Sequence, residues 1–200
     1  MHIQRHHLTF LLILVGFSSL GQQILTDKRD GTQYEIVKLD HLHWMKENLR
    51  YDAPGSVCLD HCDRIRFYDY QYLEGVCPEG WRLPTVEEWD LFIQSFQDAE
   101  KVRMMEGNKK LYRVDFLNQY NIFGSNVLNI QPIGRFEGGK LDTGDFIDFW
   151  TTNSATDDRF HMHFSPYTIS GHAHKKNLKL SKPEEYRLFA VRCVCEKLDE

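Results

Sequence analysis

Two hundred residues suit one domain, or one domain behind a targeting segment. Aromatics make up 13% of the chain, enough for a sizeable core. A formal net charge of −5, from 24 Lys and Arg against 29 Asp and Glu, excludes a basic nucleic-acid footprint.

Arg5, His6 and His7 precede an apolar run from Leu8 to Phe17, and Ser19 and Gly21 sit three and one residues before a cut at Gln22. This pattern is that of a secretory signal peptide over residues 1–21, which leaves 22–200 as one domain. The apolar run is short for a membrane span, and no cysteine stands at the cut to carry a lipid. The mature protein is therefore expected to have no transmembrane span and to be secreted, periplasmic or at the cell surface. Export places its five cysteines, Cys58, Cys62, Cys77, Cys193 and Cys195, in an oxidising compartment. Five cannot all pair within the chain, so one is left over. Cys58 and Cys62 are close enough for a local bridge. A Cys77–Cys193 bridge closes a loop of more than a hundred residues, a constraint worth about 4–5 kcal/mol. Cys193 and Cys195 face the same side of a strand, so which of them pairs stays open.

Asp30-Gly31 is a hairpin turn signal, and Tyr34, Ile36 and Lys38 alternate with Glu35 and Val37 beyond it. His43 to Leu49 continues as a strand and bend around a buried Trp44. Residues 51–66 hold Pro54, Gly55 and two cysteines and predict a stapled loop, followed by the aromatic group Phe67, Tyr68, Tyr70 and Tyr72. Val76 to Phe92 is the stretch around which the chain is organised. Trp81 and Leu83 alternate with Gly80 and Arg82, a short extended piece that Pro84 stops. Thr85 and Glu88 are spaced as a capping box, and Trp89, Phe92, Ile93 and Phe96 form the apolar stripe of the helix that follows.

Asp98 to Lys110 predicts a second short helix or a surface excursion ending at Gly107-Asn108. Residues 111–135 predict irregular structure with short strands, and Gly134, Gly138, Gly139 and Gly144 mark turns. Phe146 to Thr152 reads as a strand containing Trp150. Arg159 to Phe164 alternates, with Phe160, Met162 and Phe164 on one face and Arg159, His161 and His163 on the other. Ser165 to Gly171 reads as a turn, His172 to Leu180 as a return strand, and Leu188 to Cys195 as an apolar closing strand. Many short strands, few helices and termini brought together predict an α+β domain.

Five segments occur in order: Asp27-Lys28-Arg29-Asp30-Gly31-Thr32-Gln33-Tyr34, Trp44-Met45-Lys46-Glu47-Asn48-Leu49, Cys77-Pro78-Glu79-Gly80-Trp81-Arg82-Leu83-Pro84-Thr85 with Glu88-Trp89, Phe149-Trp150-Thr151-Thr152, and Val191-Arg192-Cys193-Val194. Together they resemble the Fibrobacter succinogenes major paralogous domain, from about Leu25 to Glu196. The resemblance implies export, frequent attachment to the cell surface, and a C-type-lectin-like fold distantly similar to formylglycine-generating enzymes. It implies pairing of Cys77 with Cys193 and of Cys58 with Cys62, which leaves Cys195 as the odd thiol. It supplies no catalytic residue. The segment Asp98–Tyr120 departs from the Gly-rich pattern usual there.

Four chemistries are weighed on these residues. A lectin-type calcium site needs converging oxygens. The usual lectin signatures are absent and Trp150-Thr151-Thr152-Asn153 is a loose echo, but Asp142, Asp145, Asp157 and Asp158 are available. His161 and His163, paired with His174 and His172 on a return strand, would offer four imidazoles to zinc or copper. Cys195 beside a histidine would suit a cysteine enzyme, although no histidine is placed next to it. Trp44, Trp81, Trp89 and Trp150 read as core, whereas exposed members of Tyr51, Tyr68, Tyr70, Tyr72 and Tyr167 read as binding candidates. The expected function is a secreted or cell-surface, non-catalytic binding module for an extracellular glycan or protein. It would use residues from about Asn118 to Asp158, including Asn153, Asp157 and Asp158, with no required cofactor. The alternative is a secreted enzyme, formylglycine-generating-like or metal-dependent.

Overall fold

The computed structural model describes residues 23–58, 62, 65–94, 104–106, 109–112, 127–152, 159–165, 169–174 and 187–198. The predicted leader and residues 153–158 lie outside them. In chain order the elements are β1 (Gln23–Thr26), β2 (Gln33–Leu39), β3 (Leu42–Met45), β4 (Ser56–Val57), β5 (Phe67–Tyr68), α1 (Val86–Gln94), β6 (Met104–Glu106) and β7 (Lys109–Tyr112). They continue as β8 (Arg135–Glu137), β9 (Lys140–Asp142), β10 (Ile147–Thr151), β11 (Arg159–Phe164), β12 (Ile169–His174), β13 (Arg187–Leu188) and β14 (Val194–Cys195). The strands form small sheets ordered β1-β2-β3-β14, β10-β11-β12-β7-β6, β13-β8-β9 and β4-β5. All strand pairs within them are antiparallel, so the domain is α+β with one α-helix among the described residues.

Local sequence explains the sharpest features. The Asp27–Thr32 loop joins β1 to β2, and Gly31 takes the left-handed φ of 77° that its turn demands. Gly138 and Gly139 both have positive φ, the geometry of a two-residue hairpin between β8 and β9. At the start of α1 the Glu88 N–H donates to Thr85 Oγ1 at 3.2 Å, and the Thr85 N–H donates to Glu88 Oε2 at 2.8 Å. This reciprocal box satisfies two backbone donors that the first helical turn leaves open.

Two apolar cores are divided by the strands that run between them. Trp89, fully buried, packs its indole on Trp44, Phe92, Phe149 and Phe164 at 4.8–5.9 Å in the first core. Trp150, Phe189, Met45, Val191 and Cys193 belong to the second. Neighbouring residues divide between the cores: Trp44 and Met45, Phe149 and Trp150, Val194 and Cys193. Successive side chains of a strand point to opposite faces, so a strand covered on both faces carries a continuous apolar run. All five residues of β10 are buried for this reason.

Several expectations are corrected. Residues 104–106 and 109–112 form the β6–β7 pair, where a second short helix was one expectation. Lys38 is exposed and does not extend the buried face of Tyr34 and Ile36. The return strand begins at Ile169, inside the expected turn, because burying Ile169 opposite Phe164 fixes the register. The closing segment is not one strand. Leu188 pairs with Phe136, Phe189 bridges Tyr68, Ala190 bridges Phe149, and Val194 pairs with Trp44 on one side and Arg82 on the other. Each short contact satisfies a different neighbour, so the segment joins the sheets instead of extending one of them.

The five family-like segments meet one another. Cys77 is bonded to Cys193 across 116 residues. Arg192, 1% exposed, donates to the Leu128 carbonyl and to Asn48 Oδ1. Thr151 Oγ1 donates to the Pro84 carbonyl, and Thr85 bridges Thr152. Arg29 is paired with buried Asp27 at 2.7 Å and donates to the carbonyls of Gly75 and Val76, just before Cys77. The polar residues of these segments thus spend their hydrogen bonds on each other.

These ion pairs set an acid limit. Burial alone would raise the Glu88 carboxyl, but the two-pronged Arg82 contact (2.6 and 2.8 Å) and the Thr85 N–H outweigh it and hold the pKa below its ordinary value. Asp27 behaves likewise: burial opposes ionisation, and Arg29 overcomes it. Both folded-state values are depressed. The stability they contribute is therefore present above the ordinary carboxylate range near pH ~4 and is lost as pH falls through the folded values. The urea midpoint is expected to drop below about pH 4. Glu88→Gln should lower the midpoint at pH 7 and flatten the acid limb, as measured by urea titrations from pH 7 to 3. An unchanged acid limb would refute the assignment.

Candidate binding groove

A groove of about 420 Å³ lies between β1 and the turn after Cys77. Seven consecutive residues, Gln23 to Arg29, form one wall, and Pro78, Glu79 and Trp81 form the other. Ile36 and Leu198 complete it. Local sequence brings each side into place. The β1–β2 hairpin is closed by its Gly31 turn, and the Arg29 guanidinium, stacked 3.7 Å over Tyr51, fastens that turn to Gly75 and Val76. The Cys77–Cys193 bond fixes the opposite wall, and a Trp81 N–H to Pro78 carbonyl bond shapes it.

The groove mixes apolar and charged groups. Ile24 is 48% exposed, and Leu25 and Trp81 are partly buried against the second core. Lys28 and Glu79 are exposed on its rim, and neither has an ion-pair partner among the described residues. Trp81 therefore differs from the other three tryptophans: Trp44, Trp89 and Trp150 are 2%, 0% and 3% exposed, while Trp81 keeps a surface toward the groove. Sequence reasoning treated Trp81 as core, and it placed the binding surface at about Asn118 to Asp158 instead of beside β1. The missing signal was tertiary, because residues 23–29, 78–81 and 198 are far apart in sequence and are brought together by the long disulfide, the Arg29 clamp and the packing of Leu25 and Trp81 on the second core.

The histidine face has another destination. His161 stands opposite His172, His174 opposite Arg159, and His163 opposite Ser170, two residues out of step with the expected ladder. His163 Nδ1 lies 2.7 Å from Oδ1 of Asp148, which is fully buried; His161 Nε2 lies 3.9 Å from the same oxygen, and Arg135 Nη1 lies 3.2 Å from Oδ2. The two rings also pack on aromatics, His161 on Phe189 and His163 on Phe146. Here a carboxylate, two imidazoles and a guanidinium fasten the β8–β9 hairpin to the β10–β11 pair. Among the described residues no three His, Cys, Asp or Glu side chains are grouped to hold a metal ion.

Of the remaining candidates, Cys58 is bonded to Cys62, and Cys195, outside both disulfides, is 1% exposed; contrary to expectation a histidine does stand beside it, because the β14–β3 pairing sets His43 directly opposite Cys195. Such burial keeps a thiol from acting on a substrate in solution. Tyr68 is buried, with its hydroxyl donating to the Tyr51 carbonyl, so it leaves the binding set; Tyr72 is 48% exposed. Asp142 is paired with Arg135 at 3.4 Å. Asn153, Asp157, Asp158 and Tyr167 lie outside the described residues.

A disulfide-clamped α+β domain with an edge groove, and with polar residues of its ordered segments bonded to one another, defines a structural class of module. The chain belongs to the Fibrobacter succinogenes major domain family, whose model matches residues 37–195. No curated protein and no solved structure matches it. Two disulfides accord with an extracellular or periplasmic setting, and no helix among the described residues is long and apolar enough to cross a membrane.

Proposed function

We propose that this chain is a non-catalytic binding module of the secreted or cell-surface kind, on a C-type-lectin-like frame, and that it holds an extracellular protein or glycan in the groove beside Trp81. The frame reading is supported by the one α-helix among the described residues, the small antiparallel sheets and the long bridge from the helix approach to the last strand. The binding reading rests above all on the groove itself: a cavity of about 420 Å³ with an aromatic wall and a charged rim. Concave sites lined by apolar surface with a few polar groups are where ligands bind. The family segments favour the same reading, since their Arg, Asn, Thr and Asp side chains are engaged in holding the fold.

The test is a paired screen of the immobilised protein on a glycan array and on a random linear peptide library. Any ligand found should lose about tenfold or more in affinity on Trp81→Ala, as expected of an aromatic anchor. Ile24→Glu, an exposed change, should weaken it without altering the thermal midpoint. Ligands that bind both variants as they bind the parent would overturn the groove as the site.

A further inference from the structure

We infer that the groove takes an extended peptide of a partner protein, which adds as a new strand along the outer edge of β1. This deepens the binding-module reading and rests on it.

The first observation is the lining. Side chains of a strand alternate between its faces, so a groove lying on one face touches every second residue. This groove touches Gln23, Ile24, Leu25 and Thr26 without a gap. The groove also reaches Ile36 of β2, which stands opposite Gln23, so it covers part of one sheet face and, through Ile24 and Thr26, wraps onto the outer edge of β1. The groove therefore reaches the backbone edge, and β1 is the terminal strand of its sheet. The other end of the sheet is covered, because β14 bonds to Arg82 through both its Val194 N–H and its Val194 carbonyl. Among the described residues no strand lies beyond β1.

The second observation is which backbone groups point outward. Glu35 is the β2 partner of Ile24. Its carbonyl accepts from the Lys46 N–H at 2.8 Å, and its N–H donates to Glu47 Oε2 at 3.2 Å. Both groups of Glu35 are thus turned away from β1, which makes Ile24–Glu35 a non-bonded pair of the antiparallel ladder. Ile24 must then turn its own N–H and C=O outward, and Thr26, two residues on, does the same. Both residues are exposed. An edge with a donor and an acceptor at alternate residues is a template for another strand.

The third observation is charge. Lys28 lies just past the C-terminal end of β1 and Glu79 on the facing wall, one positive and one negative, both exposed and neither in an ion pair among the described residues. They complement a segment that carries an acidic and a basic residue flanking an apolar one, with the apolar side chain seated between Leu25 and Trp81. Main-chain bonds to Ile24 and Thr26 would supply affinity, and the Trp81 wall and the two charges would supply selectivity.

The probe is a phage-displayed library of random linear dodecapeptides selected on the full chain, followed by synthesis of the winning peptide. Ile24→Pro and Thr26→Pro each remove one outward N–H, and proline is tolerated at an edge whose N–H faces solvent. Each should cost roughly three- to tenfold in peptide affinity, the worth of one hydrogen bond. Independently of how these variants fold, single N-methylation along the peptide should abolish binding at alternate residues and spare those between. Loss without that two-residue period overturns strand addition. If the peptide still depends on Trp81, or if only a glycan binds and does so through Trp81, strand addition is refuted while the module reading stands. Selection of no peptide and no Trp81-dependent glycan refutes both. Sedimentation that shows a dimer abolished by Ile24→Pro would assign the edge to a second copy of the chain and overturn the partner-peptide reading.

Discussion

Replacing Cys77 and Cys193 together by alanine is expected to remove about 4–5 kcal/mol of unfolding free energy, because their bond closes a 116-residue loop. The matching change at Cys58 and Cys62, which are 4 residues apart, should remove only about 2 kcal/mol. A domain of this size has roughly 5–15 kcal/mol in total, so the first variant stands near the limit of folding and the second does not. Urea unfolding followed by tryptophan fluorescence checks the pair. Equal losses would show that loop length does not govern the effect. The long bond has a further consequence for binding, because it holds the Trp81 wall against β1. Where the first variant still folds, its groove should bind any ligand more weakly than its residual stability alone accounts for.

Arg192→Met is expected to cost about 3 kcal/mol, since it strands the Leu128 carbonyl and the Asn48 side-chain oxygen in the interior. Burial pushes this guanidinium down to about 9, while Glu47 opposes the shift, so it stays protonated at neutral pH. Its planar head also lies 5.3 Å from the Phe149 ring. Arg192→Lys should lose most of the same energy, because an ammonium is a point donor that does not reproduce the fork. Adding Asn48→Leu to Arg192→Met removes one stranded group and should restore part of the loss, giving a coupling energy of about 1 kcal/mol or more in a double-mutant cycle. Strict additivity of the two changes would show that Asn48 and Arg192 do not act as a pair.

Much of the local structure is written in short stretches of sequence. The capping box at Thr85 and Glu88 needs only residues three apart. The Gly138-Gly139 hairpin and the Asp27–Thr32 loop need only residues that accept positive φ. The alternation of Arg159–Phe164 gave the bounds of β11, because period two survives without knowledge of partners. The five ordered segments gave the family, which the match over residues 37–195 shows, and the resemblance they carry implied the pairing of Cys77 with Cys193. What failed was whatever depends on a partner strand. The register of His161 and His163 was misplaced by two residues because Ile169, buried opposite Phe164, decides it from within the expected turn. The closing segment Leu188–Cys195 looked like one strand because all its faces are covered, and continuous apolar character does not reveal how many neighbours share the covering.

The groove lies at the far end of this scale. Sequence determined that β1 forms, that Gly31 turns it and that Trp81 sits four residues after a cysteine. It did not reveal that β1 is a sheet edge, that Ile24 turns its amide outward, or that Trp81 faces it. Those facts depend on contacts between residues 23–29 and 75–81 and on the bond to Cys193. The physical reason is that hydrogen bonds of turns and caps close over a few residues, so they are legible locally. An edge is defined only by the strand that does not pair with it, and that is a property of the assembled sheet.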